Sequence, residues 1–132
     1  MDIVKFYSKR HREAMACALK LATSSDPYTV SALYLLTADA NVWKTMKPRI
    51  KQGEICFENV KFHAISEGGY TLYTAAKDLY LGTEHMSIAD LADDEMVHAK
   101  TYEAICTGIM LHRGIVKLPD ALCEGKESRC DR

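Results

Sequence analysis

A chain of 132 residues lies within the ordinary size range of one domain and can bury roughly two-thirds of the surface that its unfolded form exposes. Apolar residues make up 48% and charged residues 27%, with a net charge of −1, which excludes extensive disorder, a fibrous repeat and an overall basic composition. The apolar runs are too short to cross a bilayer and the first residues lack a secretory signal, so we expect a soluble, cytoplasmic, single-domain protein.

The first part of the chain carries two helix start signals. Ser8 is a predicted N-cap, and apolar residues recur at helical spacing after it until a predicted stop near Ser24 and Ser25. Asp26-Pro27 is a second start signal, because aspartate caps free amides and proline is tolerated in the first helical turn. The residues from Leu33 to Leu36 are apolar on nearly every side of this second helix. The pattern predicts a central helix that several neighbours contact.

The middle of the chain loses the helical period. A short third helix is predicted over residues 42–47, ended by Pro48. Two short strands at Ile55–Phe57 and Val60–Phe62 are one interpretation of the next residues, and an irregular segment is the other. We therefore expect a small irregular or β-hairpin insertion near residues 49–65.

Helical order returns in the second half. Ser66 precedes an apolar stripe that ends at Gly82, a residue suited to a left-handed C-terminal cap. A short turn over residues 87–92 precedes the last helix, where the acidic residues 93–95 match the positive end of the helix dipole and Gly114 provides the stop. The overall prediction is a mainly α protein, a compact bundle of about five helices.

The last residues turn polar and lose any period after Lys117. We therefore expect a single helical domain over residues 1–117 and a flexible C-terminal tail over residues 118–132. Five scattered cysteines without a CxxC pair support a cytoplasmic location. Two of them, Cys17 and Cys106, fall in apolar helical patterns that predict small buried thiols.

One pair of residues has a spacing that occurs in metal sites. Glu95 and His98 have the ExxH spacing that places a carboxylate and an imidazole on adjacent turns of a helix, as in metal-binding bundles. A second pair of this kind, which a di-metal site requires, does not occur in the sequence. A histidine that packs beside Tyr102 is the simpler explanation. We predict no metal and no cofactor, and a metal-dependent enzyme at Glu95 and His98 is the least favoured function.

The densest basic cluster in the sequence surrounds the single tryptophan. Its members are Trp43, Lys44, Lys47, Arg49 and Lys51. An aromatic ring among cations suits phosphates or an acidic protein surface, although exposed charges are more often only solvated. No catalytic motif accompanies the cluster. The leading hypothesis is therefore a non-enzymatic protein–protein interaction module that uses these five residues. The alternative is a nucleic-acid-binding regulator that uses the same patch or the basic first helix.

Three segments of the sequence also occur together in a known family. They are Phe6-Tyr7-Ser8 with His11, the stretch from Ser31 to Asp39 followed by Trp43, and Leu79-Tyr80-Leu81-Gly82. On these residues the chain resembles a family of short bacterial proteins from Clostridia and related Firmicutes that carries a domain-of-unknown-function label. The resemblance covers roughly residues 6–113 and implies an accessory role, such as binding or inhibiting another protein, in a mobile genetic element. It implies no catalytic residues.

Overall fold

The computed structural model describes residues 2–123, and this part of the chain is mainly α-helical. Its helices are α1 (Lys9–Ala22), α2 (Pro27–Thr37), α3 (Ala40–Met46), α4 (Glu67–Leu81), α5 (Ile88–Ala92), α6 (Ala99–Arg113) and α7 (Asp120–Cys123). Its strands are β1 (Asp2–Ile3), β2 (Ile50–Lys51), β3 (Glu54–Ile55) and β4 (Val116–Lys117), and a 3₁₀ turn at Lys47–Arg49 follows α3. The predicted helical bundle with a small β insertion is confirmed.

Most helix boundaries lie where local hydrogen bonds predict them. The side chains of Ser8, Asp26 and Ser66 each accept a hydrogen bond from a backbone N–H in the first turn of the helix that follows. Gly82 and Gly114 end α4 and α6 with positive φ angles of 74° and 76°, which glycine adopts without a steric penalty. The four predicted signals at Ser8, Asp26, Gly82 and Gly114 are confirmed, and Ser66 is a further N-cap.

Helix α2 lies at the centre of the bundle. Every residue from Thr29 to Thr37 is buried, and α1, α3, α4 and α6 all pack against the helix. On α6, Gly108 permits this approach, because a Cβ atom at that position would lie 3.1 Å from the side chain of Leu35. The predicted central helix is confirmed.

The hairpin lies earlier in the chain than predicted. Strands β2 and β3 are antiparallel, with Ile50 opposite Ile55 and both side chains buried. The turn between them is Gln52-Gly53, whose φ angles of 44° and 81° are both positive, as a two-residue hairpin turn requires. The predicted strands at 55–57 and 60–62 were therefore wrong in position. The location of the turn residues, and not of the apolar runs, determines which residues pair in the hairpin.

The last long helix starts later than predicted. Residues 93–97 form a turn in which the backbone N–H groups of Met96 and Val97 donate to the Asp93 carbonyl oxygen at 3.1 and 3.0 Å. The Asp93 carboxylate accepts the N–H of Glu95 at 3.0 Å, and α6 begins only at Ala99. The acidic residues therefore close a turn and do not lie in the first turn of the helix.

The chain beyond Lys117 joins the core, contrary to the predicted tail. Strand β1 pairs in parallel with β4, and the N–H of Val4 donates to the Lys117 carbonyl oxygen at 2.9 Å. Leu118 and Leu122, four residues apart, are both buried, and α7 packs against α1. The domain boundary at residue 117 was therefore wrong. The rest of the predicted tail, residues 124–132, lies outside the described residues.

The cysteines differ from one another in their chemistry. Cys17 is disulfide-bonded, whereas Cys56 and Cys106 are free. Cys17 is buried as predicted, but the prediction of a free thiol there was wrong. Since disulfides persist in oxidising compartments, the cysteine pattern no longer supports a cytoplasmic location. Within residues 2–123, none of the helices combines the length and the hydropathy that a transmembrane span requires.

The central position of α2 predicts a large cost for removing one of its apolar side chains. Leu33 is fully buried, so Leu33→Ala should lower the free energy of unfolding by roughly 2–5 kcal/mol, measured by urea denaturation. The control Leu81→Ala, at a half-exposed position, should change it by less than about 1 kcal/mol. Equal losses in the two variants would contradict the central position of α2.

The disulfide at Cys17 predicts a cross-linked peptide. Non-reducing peptide mapping by mass spectrometry should find Cys17 in a disulfide-linked peptide and not as a free thiol. Reduction should lower the free energy of unfolding by about 2–4 kcal/mol, and it should have no such effect on a Cys17→Ala variant. A free Cys17 thiol in protein purified without reductant would refute this assignment.

Candidate functional site

Trp43 is not available as a contact residue. Its side chain is only 8% exposed and belongs to the core, together with Val42 and Met46 on the same face of α3. The predicted role of Trp43 at the centre of an exposed patch is therefore corrected. The spacing of these three residues places them on the inner face of a helix. The basic residues on either side of Trp43 had led to the prediction of an exposed patch instead.

The four cations of the predicted cluster have different environments. The guanidinium of Arg49 donates to the carbonyl oxygens of Glu58 and Asn59 at 2.6 and 3.3 Å, so it holds a loop in place. Lys47 is half-buried and also interacts within the protein. Lys44 on α3 and Lys51 on β2 are exposed. The structure therefore divides the cluster into structural and exposed members.

Lys44 lies near nitrogen-bearing side chains from a distant part of the sequence. It lines a cleft of about 410 Å³ together with Lys61 and His63. Asn41, Thr45 and Ile65 also line this cleft, and no Asp or Glu does. We call it the cationic cleft. Sequence reasoning missed Lys61 and His63, because no pattern in the chain indicates that residues 61–65 return to α3.

Aromatic contacts hold this returning segment against α4. The ring centroids of Phe57 and Tyr73 are 5.7 Å apart, and those of Phe62 and Tyr73 are 4.9 Å apart in an edge-to-face arrangement. The rings of Tyr80 and Phe57 are tilted against each other, with centroids 5.6 Å apart. Since Phe62 lies between Lys61 and His63 in the chain, its packing fixes the backbone that carries both side chains.

A second concave surface lies between the N-terminal segment and α6. It is a groove of about 580 Å³, and we call it the aromatic groove. Its walls are Phe6, Tyr7, Tyr34, Tyr102, Cys106 and Met110. This volume falls in the range of roughly 300–1,000 Å³ that small-molecule sites occupy. Sequence reasoning did not find it, because its walls come from three distant parts of the chain.

Two tyrosine hydroxyls join the parts of this groove. The Tyr34 hydroxyl donates to the Lys5 carbonyl oxygen at 2.6 Å, and the Tyr7 hydroxyl donates to the Lys100 carbonyl oxygen. Burial raises the pKa of Tyr7 to about 12 and also raises the pKa of Tyr34. Both phenols therefore stay protonated at neutral pH and keep these hydrogen bonds.

His11 lies directly behind the groove and is completely buried. Its Nδ1 accepts the backbone N–H of Tyr7 at 3.2 Å, so the hydrogen is on Nε2, which donates to the Tyr34 carbonyl oxygen at 2.9 Å. Burial lowers the pKa of His11 to about 4, which keeps the ring neutral. Both nitrogens are occupied, so His11 holds structure together and offers no free base to a ligand.

Glu95 and His98 do not form the predicted pair. Glu95 lies in the turn over residues 93–97, and His98 is the N-cap residue of α6. Because the two residues do not lie in the same helix, they are not on adjacent helical turns, as their spacing had suggested. Both are exposed, and residues 2–123 contain no group of three or more His, Cys, Asp or Glu side chains arranged to hold a metal ion.

One polar cluster was not predicted at all. The Asp78 carboxylate accepts hydrogen bonds from the Thr83 hydroxyl at 2.5 Å, from the backbone N–H of Met86 and from the His85 ring at 2.8 Å. Burial would raise the pKa of Asp78, but these hydrogen bonds outweigh it and lower the pKa. The cluster closes the connection between α4 and α5 and is therefore structural.

Comparisons of the chain with protein-family models, with curated proteins and with solved structures found no match. The function is therefore argued from the two concave surfaces, the cationic cleft and the aromatic groove.

The buried His11 predicts a pH dependence of stability. The pKa of His11 falls from 6.5 in the unfolded chain to about 4 in the folded protein, so the unfolded state binds the extra proton between these values. The stabilisation that the neutral, buried His11 provides is complete above pH 6.5. As the pH falls from 6.5 towards 4, proton uptake by His11 in the unfolded chain lowers the free energy of unfolding by roughly 3 kcal/mol in total. Urea denaturation at several pH values measures this loss.

The matched variants for this experiment are His11→Gln and His63→Gln. The free energy of unfolding is measured against pH for the wild type and for His11→Gln. The difference between the two profiles gives the pH dependence that is due to His11, because both proteins contain the same carboxylates. The variant His63→Gln removes an exposed imidazole and so controls for the substitution itself. Identical slopes for wild type and His11→Gln between pH 4 and 6.5 would show that the buried ring is not the cause.

Proposed function

We propose that this protein is a non-enzymatic interaction module that binds an acidic segment of a partner protein in the cationic cleft. The observation that carries the proposal is the convergence of Lys44, Lys61 and His63 on one cleft without a lining carboxylate. Charge complementarity of this kind steers a partner and selects against wrong ones.

The hydrogen-bonding groups of the cleft fit carboxylates. The side-chain amide of Asn41 adds a donor beside the ammonium groups of Lys44 and Lys61. Charge-assisted hydrogen bonds from such groups are stronger than neutral ones. An extended segment with aspartate or glutamate side chains can therefore place its carboxylates in the cleft while its backbone stays at the surface.

The charge of the whole chain favours a short acidic segment over a long nucleic acid. Residues 67–132 carry 7 basic and 12 acidic side chains, which gives −5 for that half. A long polyanion would meet this negative charge beyond the cleft, whereas a short segment would not. An accessory or inhibitory role in a mobile element, implied by the family resemblance, is compatible with such a module and belongs to the same proposal.

The test uses a short fluorescent peptide rich in aspartate and glutamate, with binding measured by fluorescence anisotropy. The double variant Lys44→Gln/Lys61→Gln should weaken binding roughly three- to tenfold, because each exposed ion pair contributes up to about 1 kcal/mol. Raising the salt concentration should weaken wild-type binding and should affect the variant less.

The matched control is Lys9→Gln/Lys117→Gln, which removes the same charge from α1 and β4. It should bind the peptide as the wild type does, and an equal loss in both double variants would contradict a specific site. A single-stranded oligonucleotide is the competing probe. If it binds more tightly than the peptide and loses affinity in the Lys44→Gln/Lys61→Gln variant, the nucleic-acid alternative replaces the proposal.

A further inference from the structure

Two partly exposed tyrosine rings line the aromatic groove, one from each of the two segments that form it. Tyr7 on the N-terminal segment is 41% exposed, and Tyr102 on α6 is 43% exposed. An aromatic ring with this much surface in water can stack on a flat aromatic group of a ligand. The chemistry of the walls therefore favours a planar ligand.

The floor of the groove offers oxygen atoms that accept hydrogen bonds. The Tyr34 hydroxyl uses its proton on the Lys5 carbonyl oxygen. The Thr107 hydroxyl lies 3.0 Å from the Glu103 carbonyl oxygen and also hydrogen-bonds Tyr34, so its proton is used inside the protein as well. Thr107 lines the groove and keeps a free acceptor lone pair. A ligand group that hydrogen-bonds this Thr107 oxygen is therefore a donor, such as an amino group.

The rim of the groove carries the charges. Lys5 and Lys100 are exposed and line the groove from its two sides, and Glu103 is the single acidic residue among the lining residues. The rim therefore has a net charge of +1 at neutral pH. Two ammonium groups are suited to a phosphate at the outer end of a ligand, and a carboxylate between them is an acceptor for sugar hydroxyls.

We infer that the aromatic groove binds a nucleoside monophosphate whose base carries an amino group. The base lies between Tyr7 and Tyr102, its amino group donates to Thr107, and its phosphate lies between Lys5 and Lys100. This site shares no residue with the cationic cleft, so it goes beyond the proposed function and stands or falls independently of it.

The first test is a titration of the full chain with AMP, monitored by two-dimensional NMR. Saturable shift changes confined to residues 5–7 and 100–110 are expected at up to millimolar AMP. Tyr102→Ala should weaken binding by about tenfold, because stacking of a base on an aromatic ring carries that much affinity. The control Tyr70→Ala removes an exposed tyrosine from α4 and should bind as the wild type does.

Two further comparisons separate the parts of the ligand. Thr107→Val should weaken binding of AMP but not of purine riboside 5′-monophosphate, which lacks the amino group. Lys5→Gln/Lys100→Gln should weaken binding of AMP but not of adenosine. The spectra of the free variants report whether each one is folded.

Three results would overturn the inference. One is the absence of saturable changes with AMP in the folded wild type. Another is binding that Tyr102→Ala does not weaken. The third is inorganic phosphate alone binding as tightly as AMP, because this would show that only the lysines and not the aromatic walls hold the ligand. None of these results bears on peptide binding in the cationic cleft, so the two proposals fail separately.

Discussion

The C-terminal end of α2 lies inside the protein, and its backbone carbonyls must find partners there. The last four carbonyl groups of a helix have no N–H partner within the helix, and burying them unpaired is costly. Helix α1 supplies the partners. His11 donates to the Tyr34 carbonyl oxygen at 2.9 Å, and Arg10 donates to those of Thr37 and Ala38 at 2.8 and 3.0 Å. The packing of α1 on α2 is thus specified by hydrogen bonds as well as by apolar contact.

The same histidine connects the core to the aromatic groove. Its second nitrogen accepts the N–H of Tyr7, and this bond orients the segment that precedes α1. The hydroxyls of Tyr34 and Tyr7 then attach this segment to α2 and to the first turn of α6. The hydrogen bonds that satisfy the C-terminal carbonyl groups of α2 therefore also position one wall of the aromatic groove. A change at His11 is expected to alter the groove as well as stability.

The cationic cleft has a separate structural basis. It depends on α3, which Asp39 caps through two backbone N–H groups, and on residues 61–65, which Phe62 anchors against Tyr73 of α4. Lys44 was predictable as an exposed cation, because a solvent-facing position on a short helix follows from local sequence. Its association with Lys61 and His63 was not, since it depends on where the aromatic residues of a distant helix lie.

The sequence by itself determined the elements whose causes are local. Caps such as Ser8 and Gly82 act within one helical turn, and the apolar residues around Leu33 identify a helix buried on all sides whatever its neighbours are. Tertiary structure alone decided the pairing of β1 with β4, the burial of Trp43 and both concave surfaces. The physical reason is that these features join residues far apart in the chain. No local spacing records which distant side chain completes a contact, and packing of the whole chain selects it.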